Sequence, residues 1–172
     1  TSADDYVTVE WDTPGSASVS LVAINRCGEP ECGMSITLLA SIGDYVWLDD
    51  APLDGGQDAG EVGKAGVKVE LYDDQDNLVG TQYTGASGNY LFERLQPGWY
   101  HLVFYRPSEY VFTLQDQGDD ALDSDADAIL GQTVPTELTP GEHDMTWDAG
   151  LWRLPGGGLG GYKFWDLNVS GT

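Results

Sequence analysis

The run GVKVELYDDQDNLVGTQYTGASGNYLFERLQPGWYHLVFY, residues 66–105, decides the fold class. Val67, Val69 and Leu71 alternate with polar residues, and Tyr100, Leu102 and Phe104 repeat the pattern. A period of two sets each trio on one face of an extended strand. Turn-forming clusters cut the run at DQDN (74–77), GASGN (85–89) and QPG (96–98). Four strands result, at 66–72, 77–84, 89–95 and 99–105. Working outward, the same criteria place strands at 42–48, 109–114, 132–138 and 144–151. Pro135 has no N–H to give to a ladder, so 132–138 belongs at a sheet edge. Short alternating strands joined by tight turns predict an all-β antiparallel sandwich over residues 41–152.

Both flanks carry further strand-like runs. YVTVEW, SVSLVAI and MSITLLA lie within residues 1–40, and Cys27 and Cys32 sit at the joint of the last two. These two cysteines suit a small disulfide loop in an oxidising compartment, with a pair of free thiols as the alternative. Three strands alone are marginal, so 1–40 reads as the end of a preceding domain or part of an assembly interface. RLPGGGLGG, 153–161, reads as a glycine-rich linker. Beyond it, 162–172 holds one more alternating strand with Trp165, Leu167 and Val169 on one face. Such a face needs a partner, in the same molecule or in another. Asn168 also opens a glycosylation sequon.

The 172 residues hold 29 acidic against 7 basic side chains, a formal net charge of −22. A surface of that sign repels nucleic acid and anionic membrane and attracts cations. Twenty of the acids are Asp, a turn and ligand residue more than a helix former. No stretch is long and apolar enough to span a membrane.

The acids gather in two loops. DAPLDGGQDAGE, 50–61, follows the spacing of a twelve-residue calcium loop: Asp50 at position 1, Asp54 at 5, Gly55 at 6, Gly56 at 7, Asp58 at 9 and Glu61 at 12. Pro52 at position 3 offers no side-chain oxygen, and Asp49, one residue upstream, is the alternative first ligand. The second loop, DQGDDALDSDAD at 116–127, has six Asp in twelve residues. On an extended segment Asp123, Asp125 and Asp127 point the same way. Crowded carboxylates repel each other without a counter-ion, so both loops are candidate calcium sites.

In sequence order, IGDYVWLD, GGQDAGEVGKAGVKVELYD, GNYLFERLQPGWYHLVF, DSDAD and WDAGLW resemble the B-type domains of serine–aspartate-repeat surface adhesins, related to collagen-adhesin B-type modules. The resemblance covers about residues 41–152. It implies an immunoglobulin-like, transthyretin-like β-sandwich on an extracellular surface, often in tandem and stiffened by Ca²⁺. It maps a calcium loop onto Asp49 or Asp50, Asp54, Gly55, Gln57, Asp58 and Glu61. It maps a second acidic motif onto Asp119, Asp120, Asp123, Asp125 and Asp127, with Asp44 and Asp148 facing the sites. The turn Thr84–Tyr90 lacks the acids the family usually carries there.

Enzymatic signatures are missing. No GxSxG elbow, HExxH pair or phosphate-binding glycine loop occurs, and only His101 and His143 offer imidazoles. Carboxylates crowded into one loop suit metal ligation better than acid–base work across a cleft. The expectation is a structural module of an extracellular or cell-surface protein, partnered by tandem domains or by copies of itself. Strand donation from 162–169 is its sharper form. The alternative is an adhesive module using Trp99, Tyr105 and Trp152 as a contact surface.

Overall fold

The computed structural model describes residues 37–50 and 52–154. Ten strands form: β1 (Ala40–Leu48), β2 (Val62–Gly63), β3 (Lys68–Asp73), β4 (Leu78–Tyr83), β5 (Asn89–Leu95), β6 (Gly98–Tyr105), β7 (Tyr110–Phe112), β8 (Thr136–Leu138), β9 (His143–Asp144) and β10 (Ala149–Arg153). One sheet runs β4-β3-β6-β8, antiparallel throughout. The other is organised around β1, which pairs with β5 and β2 antiparallel and with β9 and β10 parallel; β7 closes on β10. The expected all-β sandwich forms, with the parallel pairings as an addition that alternation alone does not reveal.

The inward trios are where the period of two puts them. Val67, Val69, Leu71 and Leu102 are fully buried and Phe104 nearly so. They face Ile42, Val46 and Leu151 from the β1 sheet, in one continuous core. Tyr90 packs edge-on against Phe104, with ring centroids 5.6 Å apart, and donates its hydroxyl to the Trp147 carbonyl at 2.7 Å. That bond satisfies the phenol's polar end inside the core.

The turns follow from their side chains. Asp73 accepts from the Gln75 and Asn77 amides and from Asn77 Nδ2, at 3.0, 2.9 and 3.0 Å, which fixes the β3–β4 turn.

The ends of the chain's strand pattern need correction. The single strand expected at 144–151 is two, β9 and β10. Between them Asp144 accepts from Thr146 Oγ1 at 2.9 Å and from Trp147 Nε1 at 2.7 Å, and these local bonds curl the backbone out of the ladder. The strand expected at 132–138 shortens to β8, immediately after Pro135, and lies at a sheet edge as expected. Arg153, expected to open the linker, still belongs to β10. His101 is on the outer face as its position in β6 requires, yet it is only 8% exposed, because the Tyr72 ring stacks on it at 5.3 Å. Residues 37–39 form no strand. The runs in 1–36, Cys27, Cys32, the glycine run from 155, Trp165, Leu167, Asn168 and Val169 lie outside the described residues.

Leu102 lies at the centre of the core with no exposed surface. Leu102→Ala is expected to lower the unfolding free energy by about 2–5 kcal/mol. Urea denaturation would show this as a lower midpoint at unchanged slope.

Candidate metal centre

The two acidic loops, some sixty residues apart, are zipped together by backbone hydrogen bonds. Gln57 N donates to Leu122 O at 2.7 Å and Ser124 N donates to Gly55 O at 3.1 Å. Gly56 and Asp123 form an antiparallel bridge between them. On its other side, Ser124 accepts from the Asp116 amide at 3.0 Å. Gly55 makes the close approach possible. Its φ is +86°, and a Cβ there would lie 2.3 Å from the Leu114 carbonyl oxygen. This is the sharp-turn role that its place at loop position 6 predicts.

The joined loops sit on the ends of β1 and β10. Asp49 N donates to Leu151 O at 2.9 Å, Asp125 N to Asp148 O at 3.0 Å and Gly150 N to Ser124 Oγ at 3.1 Å. Asp148 N returns a 2.6 Å bond to Asp125 Oδ2. The Asp148 carboxylate accepts from Tyr45 N at 2.9 Å and Gln57 Nε2 at 3.0 Å. One aspartate thus ties β1, the first loop and the second loop to a single point.

The fate of each expected ligand can be read from its partners. Asp49, not Asp50, is the buried acid of the first loop, at 1% exposed. Its Oδ2 accepts from Gly55 N at 3.1 Å and from the Thr113 hydroxyl, while Oδ1 is buried with no hydrogen-bond partner. Asp50, Asp54 and Asp58 are exposed. Asp54 caps the Gly56 amide at 3.2 Å, and Gly56 itself is half-buried at the bridge. Glu61 turns both oxygens to backbone amides, those of Asp50 and Asp58, each at 2.8 Å, and closes the loop as a clasp.

In the second loop, Asp116, Asp123 and Asp125 each place a carboxylate oxygen within 4.8 Å of the others. Asp123 and Asp125 are buried; Asp116 is exposed. The alternation of Asp123, Asp125 and Asp127 therefore brings two of the three together, not all three. Asp127 accepts from the Ile129 and Leu130 amides at 2.9 and 2.7 Å, because the chain leaves the extended conformation there and turns. Those bonds hold its carboxyl below the usual range. Asp119 and Asp120 stay exposed, Asp119 capping its own turn. Asp116 was counted in the acidic run but takes its place only through the fold, where the bridge between Gln115 and Ser124 carries it to the pair.

Among the described residues no Lys or Arg forms an ion pair with these carboxylates. Burial, then the neighbouring Asp120, Asp123 and Asp116, push the Asp125 carboxyl up to about 8, against the opposing pull of the Asp148 amide. Burial and the charges of Asp44 and Asp125 push Asp148 up to about 9. Asp44 and Asp116 are raised too, each mainly by burial. Beside them lies a cleft of about 310 Å³, lined by Asp44, Tyr45, Trp47, Gln57, Asp58 and Glu61. Its donors are hard oxygens, the set a divalent alkaline-earth ion takes. The orphaned Asp49 Oδ1 is a buried acceptor that a cation would satisfy.

The model of the SdrD B-like domain matches residues 40–151, the span of the sandwich with both loops. The chain belongs to this family. Serine-aspartate repeat-containing protein F of Staphylococcus epidermidis is 38% identical over 131 residues, 76% of this chain and 8% of that protein. Protein E of Staphylococcus aureus strain USA300 is 38% identical over 131 residues, 76% and 11%. Protein E of strain Mu50 is 37% identical over 183 residues, 95% and 15%. The chain thus spans between about a twelfth and a seventh of these relatives' length. Among solved structures, the minor pilin of Streptococcus agalactiae is similar at a TM-score of 0.48 and 14% identity, covering 74% of this chain and 50% of that one.

The raised carboxyls set the pH dependence. Asp125 and Asp148 favour their protonated forms in the fold, so the stability they lend is complete below an unfolded value near 4 and is lost as pH rises through about 8 and 9. Glu70, lowered to about 2 by its bonds from Lys68, Tyr105 and Tyr72, acts oppositely and loses its contribution as pH falls from about 4.5 toward 2. In chelator, thermal melts are expected to be highest near pH 5 and to fall steadily toward pH 9. A flat profile above pH 5 would contradict the burial of these two charges.

Proposed function

We propose that the chain is a calcium-stiffened spacer of a surface protein, in which Ca²⁺ locks two loops to the strand ends beneath them. The observation that supports this reading is Asp49 Oδ1, buried and unpartnered, beside loops that hold Asp123 and Asp125 buried with no Lys or Arg paired to them among the described residues. Asp49, Asp116, Asp123 and Asp125 are the residues we assign to hold calcium, with Asp44 and Asp148 shaping the field around them. Bound calcium supplies the positive charge that the cluster lacks. The protein's own part is to fix the carboxylates before binding, through the Gly55 turn, the Glu61 clasp and the Asp148 tie.

Paired thermal melts in millimolar calcium and in excess chelator test this. At about 100-fold excess over the dissociation constant, one site adds about 2.7 kcal/mol. Asp125→Asn is the discriminating variant. Above pH 8 in chelator it should match or exceed the parent, because it removes a buried charge. In calcium it should lose most of the parent's gain. An undiminished calcium gain in this variant would remove the centre from the proposal.

As the assembly form of the same reading, the run 162–169 pairs with an exposed edge of another copy. β4 supports this choice of edge. It ends its sheet, its sequence LVGTQY has no charge and no proline, and Leu78, Val79 and Tyr83 are 54%, 44% and 64% exposed. Natural edges are usually guarded by charged residues or proline, which this one lacks. Deleting 162–172 is expected to abolish self-association in sedimentation, and Val79→Lys to weaken it. Assembly unchanged by the deletion would rule out strand donation.

A further inference from the structure

A second cleft lies on the outer face of the β4-β3-β6-β8 sheet, separate from both acidic loops. It encloses about 240 Å³ and is lined by Asp73, Asp74, Asp76, Trp99, Tyr100, His101, Gln132 and Pro135. That volume suits one side chain more than a drug-sized ligand, for which about 300 Å³ or more is usual. None of the eight lining residues is Lys or Arg.

The roles within it are divided. The Asp73 carboxylate is consumed by the turn, with three donors from Gln75 and Asn77. Asp74, exposed and accepting only from Gln75 Nε2 at 3.1 Å, and Asp76, whose side chain is 89% exposed, are then the acids open to solvent. Trp99 is 49% exposed beside them, a large aromatic face that the core does not use.

His101 is the second observation. Only 8% of it is exposed, it lines the cleft, and it has no hydrogen-bond partner among the described residues. Asp76 Oδ1 stands 3.9 Å from its Nε2, beyond hydrogen-bond range. Its ring is fixed from behind. Glu70 accepts from the Tyr72 hydroxyl at 2.7 Å and the Tyr105 hydroxyl at 2.6 Å, and the Tyr72 ring stacks on His101 at 10° between planes. A mostly buried imidazole, stacked in place and lining a cleft without a hydrogen bond of its own, is a group that a bound ligand can use.

We propose that this cleft binds the side chain of an arginine on a protein partner. A guanidinium donates through several N–H groups in a plane, which matches two neighbouring carboxylates. Its face stacks on tryptophan. The lining offers acceptors and an aromatic ring and no competing cation, in a chain whose net charge of −22 favours approach of a basic segment. The inference is independent of the calcium centre, which lies on the other loops.

The test uses the 172-residue chain in calcium at low salt, with the capped peptide Gly-Arg-Gly-Arg-Gly as probe. Its counterpart carries citrulline, uncharged and nearly isosteric, in place of arginine. The indole N–H of Trp99 in proton–nitrogen spectra reports occupancy. Saturable shifts are expected with the arginine peptide, and binding about 5-fold or more weaker with citrulline, Trp99→Ala or the pair Asp74→Asn with Asp76→Asn. For the Trp99→Ala chain, shifts of the Gln132 side-chain amide replace the indole signal. Glu93→Gln with Glu109→Gln removes two exposed charges elsewhere and should change binding less than about 2-fold. Equal losses in the two double variants would mean diffuse attraction to an acidic surface and would overturn the proposal. So would citrulline binding as tightly as arginine, or saturation of the same resonances by methyl glucoside, which would mark a neutral sugar site. Melts of each variant confirm that the sandwich is intact.

Discussion

The backbone ladder between residues 55–57 and 122–124 is the constraint on which the rest of this end of the molecule depends. Neither loop has a core of its own, and neither would hold its shape against the repulsion of its aspartates. Pairing settles both at once, because each supplies donors and acceptors that the other lacks. The cost is that Asp49, Asp123, Asp125 and Asp148 all end up buried, at 5% exposure or less. A buried carboxylate without a cation protonates or finds one. The geometry that makes the loops rigid is thus the same geometry that buries their charge.

The position of this centre follows from β1. Its first half pairs with β5 and β9, and its second half with β2 and β10. Paired with two partners in each half, β1 is fixed by its ladders. Asp44 and Asp49 take their places from this strand and its end, and Asp148 stands just before its parallel partner β10. Gly150, within β10, has to be small: a Cβ there would come within 2.3 Å of Thr113 Cγ2 and 2.8 Å of Trp47 Cζ2. Thr113 in turn holds Asp49 through its hydroxyl. The core and the acidic centre therefore share backbone and side chains rather than merely adjoining.

Much of the fold was legible because alternation is a local signal. Val67, Val69 and Leu71 declare their face without reference to anything else in the chain, and the trio in β6 does the same. The parallel pairing of β10 on β1 joins residues a hundred positions apart and leaves no local trace, so it went unread. The same distinction divides the candidate site. Gly55 and Asp123 stood out from spacing alone. Asp127 shares that spacing but turns to the amides of Ile129 and Leu130, because whether a run stays extended depends on hydrogen bonds that begin after it. Asp116 joins the cluster only when the fold brings its strand end back beside Ser124. Glu61 shows a subtler limit. Position 12 of a calcium loop and a clasp for two backbone amides call for the same long carboxylate, so residue type could not separate the two roles.

The two sheets divide the labour. The β1 sheet carries the loops, the buried acids and the structural coupling between them. The outer face of the other sheet carries polar and aromatic groups that the core does not need. Glu70 shows that these groups are ordered and not merely left over. Its carboxylate takes bonds from Lys68 Nζ and from two tyrosine hydroxyls, and Lys68 Nζ also sits 3.7 Å from the centroid of the Tyr105 ring. An exposed ion pair alone contributes little to stability. A carboxylate with three donors instead fixes the rings around it. Fixed rings on an open sheet face lose little entropy when something settles on them, which is the physical condition for a contact surface. A module built only to hold neighbours at a distance has no need of such order on its outer face.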